Sequence, residues 1–328
     1  MKNNIQFATL IRFIGVALIL LCHYTEQSSS SLLNMSAQFF NIGVPIFIIL
    51  SGFLFGVREG GKNALSWYFN RIKRIYIPYE LFVVILAVIT LLRGENIFTI
   101  NWFLLVLGLQ GSVVGIHGAE QTWFITSLML CYLLTPIIRF LVLKACKSKD
   151  MTIMYAMLFL LVPSILSFIP PAFVYTLFIP CCWYALAYLI GYKFNMIKLT
   201  SKGAFCSFIT IFFAFSIRVI MRMYFDGSYL YDRITVSYTQ AIAAFCIFYI
   251  IAYLFKNRET GRLVSRVSEI SFEIYLYHYM FTVGPLKLFG LTGYWCFDCI
   301  LVTVVVVIIS IIMNRCSSVI NKNLNTLS

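Results

Sequence analysis

Apolar blocks follow one another almost from end to end of the 328-residue chain. Hydrophobic residues make up 61% of it and charged residues 11%, whereas an ordinary soluble domain carries about 25% charged residues. A helix needs about 20 apolar residues to cross a bilayer, so about ten such helices would use most of the chain. The sequence therefore predicts an all-α fold, a polytopic membrane helix bundle that forms a single domain over 1–328.

Ten segments of the chain are long and apolar enough to be predicted as transmembrane helices. The first of them has the length of a retained helix rather than that of a cleaved signal peptide. The chain shows no internal repeat, and the connecting loops are too short to fold on their own. The predicted spans are 7–24, 37–57, 75–92, 123–143, 151–169, 177–192, 204–223, 236–255, 272–290 and 295–313.

The basic residues predict the orientation of the bundle. Eighteen of the 25 Lys and Arg residues fall in one alternate set of connecting segments and termini, whereas only Arg93 and Arg233 fall in the other set. Segments rich in Lys and Arg stay in the cytoplasm, so both termini are predicted to be cytoplasmic. This arrangement also accounts for the net charge of +13 without a nucleic-acid partner.

Ionisable side chains inside the predicted spans are costly in hydrocarbon, and they therefore indicate function. Arg12 and His23 are eleven residues apart, about three helical turns, so they share one helix face at a separation of roughly 16 Å. Either they form a functional polar stripe, or each reaches its own membrane interface. No Cys or His cluster has metal-ligand spacing, so no metal site is predicted. The remaining candidates are Glu80, Arg218, Arg222, Glu273, His278 and Lys287.

Small residues end the second predicted helix. Gly52 follows Ser51, and Gly56 comes four residues after Gly52, on the same helix face. Such spacing lets two helices approach closely in a membrane. Near the other end of this segment, Pro45 predicts a kink.

Two arginines precede the third predicted helix on its cytoplasmic side. Arg71 and Arg74 are three residues apart, so in a helix they share one face. Planar guanidinium groups spaced in this way suit a phosphate-bearing ligand. The alternative is a basic cluster that only determines the orientation of the helix in the membrane.

Several motifs occur in one order along the chain, and together they resemble the acyltransferase 3 family of bacterial integral-membrane acyltransferases. Arg12 and His23 of the first helix open the series. The further motifs are FNIGVPIF (40–47), SGF (51–53), YFNRIKRI (68–75), WF (123–124), LTP (134–136) and ISFEIYLYH (270–278).

The resemblance implies an acyl-CoA donor, by default acetyl-CoA, on the cytoplasmic side of a bacterial inner membrane. It implies a carbohydrate acceptor at the cell surface or on a polyprenol carrier. His23 matches the essential histidine of the family, Arg12 the arginine before it, and Arg71 and Arg74 the paired arginines. Glu80, Trp123, Glu273 and His278 are expected to bind substrate or line a pocket. After His278 the family commonly has a proline-containing stretch, whereas this chain has Tyr279 and Met280.

The chemistry of such a reaction suits a histidine. Transfer of an acyl group from a thioester to a sugar hydroxyl requires a base for the hydroxyl proton and donors for the oxyanion. Histidine titrates near neutral pH, which makes His23 the leading candidate. The sequence leaves two mechanisms open: direct attack of the hydroxyl, or a transient acyl group on His23.

Two other functions would also place ionisable residues inside a membrane. A transporter or permease would use Arg, His and Glu as an ion or proton pathway, but carriers often contain two related halves, and none is evident here. A non-catalytic membrane subunit would keep the fold without binding acyl-CoA.

Overall fold

The computed structural model describes residues 6–58, 64–110, 115–169, 172–256 and 258–326. Across these residues the fold is all-helical, with 81% helix and no strand, which confirms the predicted fold class. Short 3₁₀ or π segments at Glu120–Thr122, Phe194–Met196 and Leu230–Thr235 adjoin the α-helices. The α-helices are α1 (Phe7–Glu26), α2 (Ser31–Phe40), α3 (Gly43–Val57), α4 (Ala64–Leu92), α5 (Ile100–Val106), α6 (Trp123–Ala145), α7 (Lys149–Ser167), α8 (Ala172–Tyr192), α9 (Ser201–Phe225), α10 (Val236–Phe255), α11 (Arg262–Glu269), α12 (Ser271–Thr282) and α13 (Trp295–Thr326).

Eight helical stretches in the described part of the chain are long and apolar enough to cross a membrane. The chain is therefore a multi-pass membrane protein. The predicted spans 177–192 and 272–290 are not among the eight, because α8 offers a shorter apolar stretch, Thr176–Tyr192, and α12 has only 12 residues. The eight are Phe7–Glu26, Ser31–Val57, Asn70–Leu92, Glu120–Ala145, Lys149–Ser167, Ser201–Phe225, Leu230–Phe255 and Trp295–Leu324.

The helix predicted over 272–290 ends early, at Thr282. Beyond it the chain turns, and the Gly284 and Leu286 N–H groups donate to the Tyr279 and Met280 carbonyls over 2.8 and 3.2 Å. Gly284 packs so tightly that an added Cβ would lie 2.9 Å from the Cα of Gly118. Apolar residues continue past this turn, so hydropathy alone does not reveal where the helix ends.

The helix predicted over 37–57 is divided into α2 and α3 by a turn at Asn41 and Ile42. Pro45 does not kink the helix as predicted but lies in the first turn of α3, where its missing N–H leaves no backbone hydrogen bond unmade. The first full backbone hydrogen bond, from Ile46 N to Ile42 O, spans 3.1 Å. The break therefore precedes the proline.

The chain forms two compact units, and each gathers three separate segments. The first unit contains 1–18, 39–61 and 127–268; the second contains 19–38, 62–126 and 269–328. In the first unit α3 packs most extensively against α8, α7 also lies on α8, and α10 pairs with α9. In the second unit α12 packs against α13 and α4, and α13 also contacts α4.

Glycines allow the close packing of α3 on α8. A Cβ added to Gly52 would overlap the carbonyl oxygen of Tyr184, and one added to Gly56 would overlap that of Tyr188. Gly191 makes the reciprocal contact from α8 to α3, since a Cβ there would overlap the carbonyl oxygen of Phe53. The small-residue pair at Gly52 and Gly56 thus has the close contact that the sequence predicts, and α8 is the partner helix.

Hydrogen bonds tie the end of α1 to α13 within the second unit. The Trp295 indole N–H donates to the Tyr24 carbonyl over 2.8 Å, and the Tyr24 hydroxyl lies 3.0 Å from the Thr303 hydroxyl. The loop before α13 is held by Asp298, whose carboxylate accepts from the Gly290 and Thr292 N–H groups at 2.9 and 3.0 Å. These contacts position the last turn of α1.

Candidate active site

His23 lies in the last turn of α1. Its side chain is partly exposed, and the Nδ1 side of its ring contacts Glu26. Nδ1 of His23 lies 2.8 Å from Oε2 of Glu26, three residues later. The His23 side chain is 25% exposed, and the second carboxylate oxygen of Glu26 accepts from the Cys22 thiol at 3.5 Å. A carboxylate accepts a hydrogen bond from Nδ1–H, so Nε2 of a neutral ring is left with a free lone pair.

His278 of α12 lies directly beside His23. Their ring centroids are 5.2 Å apart, with 32° between the ring planes. His278 is fully buried, and its Nδ1 lies 2.6 Å from the Tyr275 carbonyl, which can only accept a hydrogen bond. Its Nε2 is buried without a hydrogen-bond partner. The buried ring of His278 therefore places a nitrogen acceptor without a hydrogen-bond partner beside the His23 ring.

Tyr279 completes this cluster. Its ring meets His23 edge-on at 5.2 Å and His278 edge-on at 6.0 Å. Tyr279, the residue that follows the ISFEIYLYH motif (270–278), therefore contacts both histidines.

The 3₁₀ turn before α6 fixes α12 behind the cluster. The Gln121 side-chain amide donates to the Leu276 carbonyl over 2.8 Å, and the Tyr275 hydroxyl donates to the Gln121 carbonyl. Phe124 packs edge-on against Tyr275 at 5.1 Å. Trp123, the predicted pocket residue, begins α6 and is half-buried. Of the WF motif, Phe124 is therefore the residue seen to support α12.

Glu273 belongs to a second polar cluster. Its Oε1 accepts from the Asn314 side-chain amide over 2.9 Å, while its Oε2 is buried without a partner. Tyr277 lies one helical turn after Glu273 on α12, and Ser310 lies one turn before Asn314 on α13. Both of their hydroxyls are buried without partners. Five residues rotate a helix by about 140°, so Glu273 lies on a different face of α12 from His278.

The remaining predicted residues lie elsewhere on the helices. Arg71 and Arg74 are both within α4, which starts at Ala64 rather than at 75, so they occupy positions i and i+3 of a helix as expected. Arg71 is half-buried and Arg74 is exposed. Glu80, further along α4, is half-buried, and its Oε1 has no hydrogen-bond partner. Arg12 lies on α1 in the first unit, whereas His23 belongs to the second.

Sequence reasoning missed Glu26 and Tyr279. Glu26 could have been found from its spacing, because residues at i and i+3 of a helix face each other. Tyr279 carries no such local signal, since its contact with His23 joins chain positions more than 250 residues apart. The described residues contain no group of three or more His, Cys, Asp and Glu side chains that could hold a metal ion.

Comparison with known proteins identifies the family. A family model described as an acyltransferase domain, Acyl_transf_3, matches residues 5–315, nearly the whole chain. No curated protein and no solved structure gives a significant match. The multi-pass helical fold and the family model agree, and the chain belongs to the acyltransferase 3 family of membrane acyltransferases.

Proposed function

We propose that this membrane acyltransferase transfers an acyl group, by default acetyl, from cytoplasmic acyl-CoA to a hydroxyl of a cell-surface or polyprenol-linked polysaccharide. His23 is the proposed general base or transient acyl carrier. The observation that supports this role is the 2.8 Å contact between Nδ1 of His23 and Glu26 on a partly exposed ring. The reaction would take place in a bacterial inner membrane.

The proposed reaction balances with His23 as the proton carrier. Nε2 of His23 takes the proton of the acceptor hydroxyl, and the oxygen attacks the thioester carbonyl carbon. The C–S bond then breaks, and the protonated histidine returns the proton to the leaving thiolate. In the covalent variant, Nε2 attacks the thioester carbonyl carbon, the C–S bond breaks, and the CoA thiolate leaves. The acceptor hydroxyl then attacks the acyl carbon, the C–N bond to the ring breaks, and the hydroxyl proton ends on the released thiolate. Glu26 stabilises the protonated ring in the first variant and orients it in both.

The other predicted residues have supporting roles in this proposal. Arg12 is the second proposed catalytic residue, because it matches the arginine that precedes the essential histidine of the family. Arg71 and Arg74 bind the phosphates of acyl-CoA. Glu80, Trp123, Glu273 and His278 are proposed pocket residues, and of these His278 contacts His23.

The direct test of the activity uses purified protein with radiolabelled acetyl-CoA and membranes that contain the acceptor. We expect label to enter a glycan fraction, and NMR of surface glycans from wild-type and deletion cells to show the loss of an O-acyl group. Absence of acetyl-CoA binding would instead support the transporter or the non-catalytic subunit. Incorporation of succinyl but not acetyl would correct the donor and leave the reaction class intact.

Substitution of Arg71 or Arg74 by lysine is expected to weaken acetyl-CoA binding. A guanidinium binds phosphate through two parallel hydrogen bonds, which an ammonium does not reproduce. One charge-assisted hydrogen bond contributes about 1.5–3 kcal/mol, so each change is expected to raise the dissociation constant roughly 10- to 150-fold. Calorimetry on the purified variants measures this. Lys73→Arg, between the two arginines, is the matched control, and wild-type affinity in both lysine variants would contradict the phosphate role.

Ten spans with both termini in the cytoplasm are the proposed topology, in which α8 and α12 cross the membrane although they are short. Introduced cysteines test it after the exposed Cys206, Cys296 and Cys316 are replaced by serine, with the protein that lacks these three as the labelling background. We expect Ser29→Cys to react with an impermeant maleimide in intact cells, and Ser148→Cys and Asn195→Cys to be protected. If Asn195→Cys reacts while Ser148→Cys stays protected, α8 does not cross the membrane. If Ser148→Cys and Asn195→Cys react while Ser29→Cys is protected, the orientation is the opposite of the one proposed.

A further inference from the structure

The first unit contains an apolar cavity that holds none of the proposed catalytic residues. Its volume is about 430 Å³, within the range of roughly 300–1,000 Å³ typical of ligand pockets. Its inner wall consists of buried side chains of α3, α8 and α10, among them Phe53, Ala187 and Phe248. An empty apolar space of this size would forfeit dispersion contacts along its whole lining, so we expect it to be filled.

Few polar groups border the cavity. Of its lining side chains only those of Ser207, Cys246 and Tyr249 carry a polar atom, and the Tyr249 hydroxyl already accepts from the Thr200 N–H over 3.1 Å. They offer little to a polar ligand. The lining therefore favours a hydrocarbon chain.

The outer wall of the cavity belongs to α7 and α9, the two least buried of the eight candidate membrane spans. Leu160 of α7 and Ser207 of α9 lie there, and Leu160 is 41% exposed. Only 17% of the apolar window of α7 and 11% of that of α9 are buried, the lowest fractions among the eight candidate spans. In a membrane the exposed faces of such helices contact lipid, so an acyl tail has lateral access to the cavity.

The end of the cavity is bordered by a basic loop. Phe194, Ile197 and Leu199, which line the cavity, belong to the connection between α8 and α9. This connection carries Lys193 and Lys198, Lys202 follows in the first turn of α9, and no acidic residue lies between them. Lys193 donates to the Thr152 hydroxyl over 3.0 Å, while Lys198 and Lys202 are exposed. Basic residues at the membrane surface attract anionic lipid headgroups.

We propose that the cavity between α3, α7, α8, α9 and α10 binds one anionic phospholipid, with an acyl tail inside and the phosphate at Lys198 and Lys202. The apolar lining selects the tail, and the basic loop selects the charge of the headgroup. The site is separate from the proposed catalytic cluster and does not depend on the acyltransferase assignment.

A photoreactive phosphatidylglycerol with a diazirine in its acyl chain tests the proposal, with the full-length protein in phosphatidylcholine nanodiscs. We expect adducts on the cavity-lining stretches 186–190 and 245–252, whose buried residues ordinary annular lipid does not reach. Unlabelled phosphatidylglycerol should compete for these adducts, and phosphatidylcholine should not. Adducts confined to exposed positions of α7 and α9, or equal competition by both lipids, would overturn the proposal. Competition by palmitoyl-CoA but not by phosphatidylglycerol would overturn it too and assign the cavity to a donor chain.

Matched variants separate the headgroup from the tail. Because one lysine near a membrane surface changes affinity about fivefold, Lys198→Gln with Lys202→Gln should weaken competition by phosphatidylglycerol about 25-fold. The exposed pair Arg315→Gln with Lys322→Gln is the control and should have no effect. Ala187→Phe should remove the cavity adducts, and Ala156→Phe, on α7, serves if the first variant does not fold. If a cavity-filling variant folds and its adducts are unchanged, the acyl tail binds elsewhere.

Discussion

Replacement of His23 by alanine is expected to abolish acyl transfer while the protein remains folded in the membrane. A general base contributes roughly 100- to 10,000-fold to the rate, and an acyl carrier cannot be bypassed at all. The His23 side chain is partly exposed, so its removal creates no large internal cavity. The measurement is the initial rate of label transfer from acetyl-CoA, together with size-exclusion chromatography of the purified variant.

Glu26→Gln provides a graded version of the same test. The amide keeps the shape of the side chain and can still accept from Nδ1 of His23, but it loses the charge that strengthens this hydrogen bond, which lowers the bond's contribution by about 1–1.5 kcal/mol. We expect a rate reduction of roughly 5- to 15-fold, smaller than the roughly 100- to 10,000-fold reduction expected for His23→Ala. Glu95→Gln, an exposed carboxylate paired with Arg93 over 2.9 Å, is the control. An unimpaired rate in His23→Ala would remove His23 from the mechanism.

Gly52→Ala and Gly56→Ala are expected to destabilise the protein strongly. The added methyl group meets a backbone carbonyl of α8 in each case, and no side-chain rotation relieves a clash with backbone. Overpacking costs about 1–3 kcal/mol, occasionally more, and these sites should lie at the upper end because α3 must move away from α8. The midpoint of thermal unfolding in detergent reports the loss.

Gly261→Ala is the matched control for the glycine series. A Cβ at Gly261 meets nothing within 4 Å, and this residue does not need a positive φ. We expect its unfolding midpoint to equal that of the wild type. Wild-type stability in Gly52→Ala would mean that α3 and α8 do not pack at the distance described.

The sequence predicts most helices because a bilayer imposes a minimum apolar length on each span. The structure places the ends of α1 and α7 within about two residues of 7–24 and 151–169. Hydropathy fails where apolar residues continue through a turn, as they do after Thr282 in α12. It also misses the extension of α13 to Thr326, because the last residues of that helix are polar.

Only part of the candidate site could be predicted from the sequence. His23 and His278 could each be singled out as rare ionisable residues in apolar segments, but nothing in the local pattern shows that their rings meet. That contact depends on the packing of α12 and on the 3₁₀ turn at Gln121 that holds it. Assignment of Tyr279 required the fold, since an aromatic residue in a membrane helix is ordinarily a packing residue.

The bond from the Trp295 indole to the Tyr24 carbonyl has a consequence for biosynthesis. The chain emerges from the ribosome N-terminus first, so α1 enters the membrane about 270 residues before its partner on α13 is made. His278 also arrives late, with α12. The last turn of α1, with His23 on it, therefore remains without these contacts until synthesis is nearly finished. A truncated chain would carry His23 and Glu26 but not His278 and Tyr279, so the cluster around His23 is complete only once α12 has been made.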